Sequence, residues 1–378
     1  MIFLEVLLRV EVKSMFSKID IRNFRCFNSL VIDNISPVTI IGGRNNVGKS
    51  SILEAVFLVF GYSNPSVFFT LAAFRNGNGI LDVTPQKIFG PLFYNFNQKP
   101  FQIIMNRDDK RISSLVGTKT PDDTVGLNVN NEVVGNILKH GYNPTNMNEY
   151  FYSLSYKYSI DDKEKSGTYS IQNKQIKYNS HSNGIETMNL PMVKVSLYKS
   201  VFIPSNTDIA EWVSKLILDG KKELLLEVLR DFNNEITDVN TVIENSVPYI
   251  YISLSDGSKM PITYMGDGIN KALQILLCIL SSPNGIVLID EIENGFHYSV
   301  YARVLNSFYK AALKVNCQMI ITTHNNIIID TSADVMIALG KLESLCYQRI
   351  DFSKGVHTAY SFKGRELKDA LDLNMEVR

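Results

Sequence analysis

Cysteine is scarce in this 378-residue chain: Cys26, Cys278, Cys317 and Cys346 lie far apart. They lack the close pairing that a zinc cluster or a redox couple needs, and three of them sit in apolar stretches, as reduced core thiols of a cytosolic protein do. Net charge is missing as well, because 38 basic and 38 acidic side chains cancel and the sequence pI is near 7.0. No global field therefore draws the chain to nucleic acid or anionic lipid. Long apolar runs are also lacking. Residues 1–10 have a signal-like apolar character, but Glu5, Arg9 and Glu11 interrupt it and neither a small-residue cleavage site nor an 18-residue apolar run follows. Export and membrane spanning are thereby disfavoured and a cytoplasmic protein is expected. Internal repeats, low-complexity tracts and a heptad run long enough for a coiled-coil arm are absent too.

What the chain does have is a hydrophobic content of 45%, enough to fill the core of one large domain or of a core domain carrying an insertion. Ile19 and Ile21, then Leu30 and Ile32, alternate with polar neighbours and predict two short strands before the apolar run 38–41. Glycine-rich residues 42–48 follow that run, and 51–60 form an apolar segment of helical length closed by Gly61. From about 108 to 189 the composition turns to Asn, Ser, Lys, Asp and Tyr, with alternating pieces at 152–158 and 168–171, which predicts hairpins and loops. Apolar residues at helical spacing over 208–245 predict a small helical pair. Strands at 249–254, 286–289 and 319–322 then alternate with helices at 268–280 and 298–313, an α/β layout with a mainly parallel core. The expected division is 15–107 as the first part of a core domain, 108–245 as an insertion, β-rich then helical, and 246–378 as the second part. Residues 1–14 are either an extra strand or a misplaced start ahead of Met15.

Three strand ends carry the chemistry. Residues 43–50 fit G-x-x-x-x-G-K-[ST], in which Gly43, Asn45, Asn46, Val47 and Gly48 present backbone N–H groups to phosphate oxygens. Lys49 is then suited to the β- and γ-phosphates of ATP, Ser50 to a magnesium ion, and Ser51 to the cradle through its own N–H. Asp290 and Glu291 end a buried apolar strand: Asp290 suits the magnesium shell, and Glu291, pointing elsewhere, suits a water attacking the γ-phosphate. A third apolar strand delivers His324 to the same carboxyl edge of the sheet, where open α/β sheets bind ligands. Gly266, Asp267 and Gly268 open the helix before the acidic strand, either as a simple cap or as a second anion-binding helix terminus. Lys194, Lys199, Lys221 and Lys222 around Tyr198 form a modest basic surface, or simply a solvated face.

Together these elements resemble the ABC-type ATPase heads, in the branch that holds RecF, the SMC-like proteins and the OLD family of AAA-type phage-defence ATPases. The resemblance covers about 16–74 and 249–341. Asn23-Phe24-Arg25 looks like the family's opening strand, 264–273 like an OLD-type signature motif, 290–297 like Walker B with a D-loop at Asn294, Gly295 and His297, and Thr322-Thr323-His324 like the switch histidine. It implies an ABC-type P-loop head with an antiparallel β subdomain. It also implies a homodimer, or a higher oligomer, in which two ATP molecules are each held between one subunit's Walker loop and the other's Gly266, Asp267 and Gly268. Gly266 stands where the commoner signature has serine, which implies slow hydrolysis. Gln86 and Gln102 are equally weak candidates for the Q-loop glutamine. Only 54 residues follow His324, too few for the TOPRIM nuclease of OLD proteins, so the resemblance implies a separate effector, a nuclease or toxin, in anti-phage defence. The alternative it offers is a RecF-like, DNA-binding repair ATPase. A membrane-transport head fits poorly, since Gly48 and Gly266 are 218 positions apart.

Overall fold

The computed structural model describes residues 16–61, 64, 66–76, 84–97, 99–107, 110–121, 152–160, 163–172, 175–181, 194–199 and 206–373, so the expectation for residues 1–14 lies outside it. The first eight strands are β1 (Lys18–Phe24), β2 (Phe27–Ile32), β3 (Val38–Gly43), β4 (Phe101–Arg107), β5 (Lys110–Pro121), β6 (Tyr152–Ile160), β7 (Lys163–Gln172) and β8 (Gln175–His181). The next eight are β9 (Val195–Lys199), β10 (Ile236–Glu244), β11 (Val247–Leu254), β12 (Lys259–Pro261), β13 (Ile286–Asp290), β14 (Gln318–Thr322), β15 (Leu345–Ser353) and β16 (Val356–Lys363). The longer helices are α1 (Lys49–Gly61), α2 (Ser66–Asn76), α3 (Asn206–Leu218), α4 (Lys222–Phe232), α5 (Asp267–Leu280), α6 (Tyr301–Lys314), α7 (Asn326–Ala338) and α8 (Arg365–Asp372).

The chain divides into two units, one of residues 1–18, 32–53 and 191–378, the other of 19–31 and 54–190. In the first, a six-stranded sheet runs β16-β15-β3-β14-β13-β9, parallel throughout except for the edge strand β16. Every residue of β13 and β14 is buried, as continuous apolar runs covered on both faces require. Register fixes the site: Ile41 pairs with Thr322, Ile289 with Ile321, and Asp290 with Lys199, so four strands end at one edge. Helix α3 buries Ala210, Val213 and Leu216, and α4 buries Leu225, Leu226, Val228 and Leu229, in the same core cluster as α5 and α6.

In the second unit a seven-stranded sheet runs β2-β1-β4-β5-β6-β7-β8, antiparallel from β4 onward. Phe101 packs edge-on against Phe24 and Phe93 at 5.5 and 5.3 Å, and Tyr156 stacks on Tyr169 at 5.2 Å. Glu54, fully buried, pairs with Arg25 at 3.0 Å and Arg75 at 2.9 Å; burial, the larger effect, lowers the affinity of the Arg25 guanidinium for its proton even so.

Three expectations change. Residues 236–244 form a strand, not the end of a helical pair: Ile236 and Val239, three apart in sequence as on a helix face, are both buried because a β-bulge between Ile236 and Asp238 shifts the alternation. The stretch 108–245 does not stay together either. Its hairpins pair through β4 with the opening strands, while β9, α3 and α4 build the core of the parallel-sheet unit. Helix α1 starts at Lys49, earlier than residue 51, and residues 298–300 form a separate 3-10 turn before α6.

Candidate functional site

The phosphate-type loop begins where β3 runs out of room. A Cβ on Gly43 would lie 2.2 Å from the Ile350 carbonyl oxygen and its φ is +130°; a Cβ on Gly42 would lie 2.4 Å from the Tyr347 hydroxyl. Only glycine fits either position. Asn46 and Gly48 also have positive φ, 65° and 93°, and curl the chain into α1, whose first N–H groups have no partner within the helix. Asn45 and Asn46 are exposed, while Val47 is buried and anchors the loop, leaving only its backbone for a ligand.

Lys49 Nζ donates to the carbonyls of Gly43 at 2.8 Å and Arg44 at 2.9 Å, and lies 3.1 Å from His324 Nδ1. Burial lowers its pKa to about 8, although Glu293, Asp290 and Glu291 pull the other way. An ammonium needs an acceptor, so His324 Nδ1 carries the lone pair and Nε2 the proton. That Nε2 lies 3.5 Å from Glu291 Oε1. His324 thus stands between the cation of the loop and the second carboxylate.

Asp290 is nearly buried, and its Oδ1 accepts hydrogen bonds from Ser50 Oγ at 3.0 Å and Thr322 Oγ1 at 2.6 Å. Glu291 turns away from it because its φ is +49°, a conformation unusual for a side-chain-bearing residue. Its N–H donates to Thr322 Oγ1 at 2.8 Å and its Oε2 accepts from Asn294 Nδ2 at 2.6 Å. One strand end therefore carries two carboxylates with separate surroundings. A hydroxyl and a carboxylate oxygen meeting at 3.0 Å are hard donors of the kind magnesium takes alongside phosphates and water, so Ser50 and Asp290 fit that ion.

The structure brings Lys49, Ser50, Asp290, Glu291 and His324 together. A cleft of roughly 720 Å³, lined by Gly42, Gly43, Arg44, Asn45, Glu293 and His324 among others, opens beside them, within the usual range of ligand pockets. Gly266, Asp267 and Gly268 lie elsewhere, at the start of α5. Gly266 has φ +96° with open space around it, and a Cβ on Gly268 would sit 3.5 Å from the Gly295 carbonyl oxygen. Lys271 of α5 donates to the carbonyls of Ile292 and Asn294, which joins this turn to the D-loop segment. His297 is engaged with Ser299 at 2.9 Å as a cap of the 3-10 turn.

Sequence reasoning missed Thr322, Glu293 and the place of Lys199. Glu293 accepts from Thr323 Oγ1 at 2.8 Å and from the His324 N–H at 2.6 Å, which fixes the turn that presents the imidazole. The signal was there in part, because hydroxyls in an apolar strand must find partners once buried. The basic surface loses part of its expected set: Tyr198 belongs to the core, Lys199 is buried with its Nζ 3.4 Å from Asp290 Oδ2, and Lys222 pairs with Asp238 at 2.7 Å, while Lys194 stays exposed. Gln86 lies in the short helix Pro85–Ile88 and Gln102 on β4, both in the other unit.

A family model described as "AAA domain, putative AbiEii toxin, Type IV TA system" matches residues 38–330. A Helicobacter pylori protein named ATP/GTP phosphatase is 24% identical over 328 residues, 84% of this chain and 87% of that protein. An SMC head bound to the C-terminal winged-helix domain of ScpA aligns with 95% of this chain and 100% of its own, at 14% identity and a TM-score of 0.47. The SMC head domain from Thermotoga maritima aligns with 92% and 98%, at 13% identity and a TM-score of 0.40.

Proposed function

The chain belongs to this AAA family, and from that membership we propose that it is a magnesium-dependent ATPase that works as a switch, pairing two copies through bound ATP and controlling a separate effector. The observation that carries the reading is the split of Asp290 from Glu291. One carboxylate is tied to the Ser50 hydroxyl, and the next is turned by a left-handed residue towards His324.

Derived from these residues, the loop N–H groups of Gly43 to Ser51 and the Lys49 ammonium hold the phosphates, Lys49 exchanging at least one carbonyl partner for a phosphate oxygen. Ser50 and Asp290 would hold a magnesium ion, which would supply charge neutralisation to the phosphates. Glu291 orients the attacking water and receives its proton. The Nε2–H of His324 is placed to donate to the γ-phosphate or to Glu291, and Glu293 keeps the imidazole there. Gly266 and Asp267, exposed at the head of α5, and half-buried Gly268 offer their N–H groups to the nucleotide of the second copy, and the D-loop links that contact to Glu291 through Asn294. With no hydroxyl at Gly266, turnover is slow unless a partner speeds it.

The family description names a putative toxin and a toxin–antitoxin system, which supports a place in a system of that kind; the separate effector and the role in defence against phage are our reading. Phosphate release from magnesium–ATP by the purified chain, compared with Lys49→Ala, tests the enzymatic part. Equal release by both proteins contradicts it.

A further inference from the structure

Lys199 is a charged group at the site to which the mechanism gives no role. It ends β9, the edge strand of the parallel sheet, in register with Asp290. Its Nζ lies 3.4 Å from Asp290 Oδ2, with the two side chains only 8% and 11% exposed. Since Oδ1 is taken by the Ser50 and Thr322 hydroxyls, both oxygens of this carboxylate face protein groups, one of them a full positive charge.

A carboxylate removed from water needs a counter-charge, and breaking such a pair is strongly unfavourable. Lys199 meets that need in the protein alone. A divalent ion on the same carboxylate removes the need and adds a second cation a few ångströms from the ammonium, in surroundings that screen charge less than water does. The two cations therefore compete for Asp290.

We propose that Lys199 is the resident counter-cation of Asp290, holding the metal carboxylate in place in the protein alone and giving it up when magnesium–nucleotide binds. The inference rests on Asp290 being the metal carboxylate. Its consequence is selective: Lys199 raises the magnesium concentration that nucleotide binding requires, and it does so without touching the nucleotide.

The test is a titration of a fluorescent ATP analogue against magnesium, and in EDTA, with the wild-type chain, Lys199→Met and Lys199→Arg. In Lys199→Met, half-saturation moves to a magnesium concentration lower by about tenfold or more, while Lys199→Arg keeps the wild-type requirement. At saturating magnesium all three bind the analogue comparably. An unchanged or higher magnesium requirement in Lys199→Met overturns the proposal. Weaker binding by Lys199→Met at saturating magnesium also overturns it, since Lys199 would then hold the nucleotide itself. If Lys199→Met does not fold, Lys199→Gln carries the same comparison, with the ammonium replaced by a neutral polar group. A wild-type chain that binds no analogue at any magnesium concentration overturns the ATPase reading instead.

Discussion

The hydroxyl of Thr322 donates to Asp290 Oδ1 at 2.6 Å while accepting the Glu291 N–H at 2.8 Å. One side chain on β14 thus sets the positions of two consecutive residues on β13. Thr322→Val keeps the shape and removes both bonds, leaving the part-buried Glu291 N–H without this acceptor. It should lower stability by about 1–3 kcal/mol, read from urea denaturation, and reduce kcat while nucleotide affinity stays near wild type. Thr322→Ser, which restores the hydroxyl, should recover most of kcat. A Thr322→Val enzyme with normal turnover would remove Thr322 from the mechanism.

Lys49 gives a pH dependence. Burial lowers its pKa to about 8, so its charge is present below that pH and is lost as pH rises through it. Only the charged form attracts phosphate. Nucleotide affinity should therefore hold between pH 6.5 and 7.5 and weaken progressively above about 8, with a proton taken up on binding at the alkaline end. Fluorescence titrations of an ATP analogue across pH 6.5–9.5 measure this, and a flat profile would contradict it.

Glycines 43 and 266 separate structural need from exposure. Gly43→Ala would push a Cβ to within 2.2 Å of a backbone oxygen at φ +130°, and should cost more than about 2 kcal/mol or prevent folding. Gly266→Ala meets open space at φ +96° and should cost about 1 kcal/mol through the backbone alone. Thermal melts distinguish the two, and equal losses would show that the contact with Ile350 does not set the cost at Gly43.

The loop and the acidic strand end were legible because their signals are local. A buried strand, a glycine-rich turn and a helix start lie within 38–60, and Asp290 and Glu291 follow an unbroken apolar run. His324 was legible for the same reason. Lys199 was not, because its meaning comes from pairing β9 with β13, elements 91 positions apart at Lys199 and Asp290. In isolation it reads as one lysine among several. Thr322 and Glu293 escaped because their partners lie on another element. The strand 236–244 escaped because its bulge lets Ile236 and Val239, which stand at helical spacing, both be buried.

The claim that Glu291 activates water while Asp290 and Lys49 hold the nucleotide is tested most directly by Glu291→Gln. Size and phosphate release are followed together, by light scattering on a sizing column and a coupled phosphate assay, with magnesium–ATP present. The account predicts that Glu291→Gln binds ATP, releases phosphate at least about 100-fold more slowly than the wild-type chain, and accumulates as a dimer. Phosphate release at the wild-type rate by Glu291→Gln would contradict it.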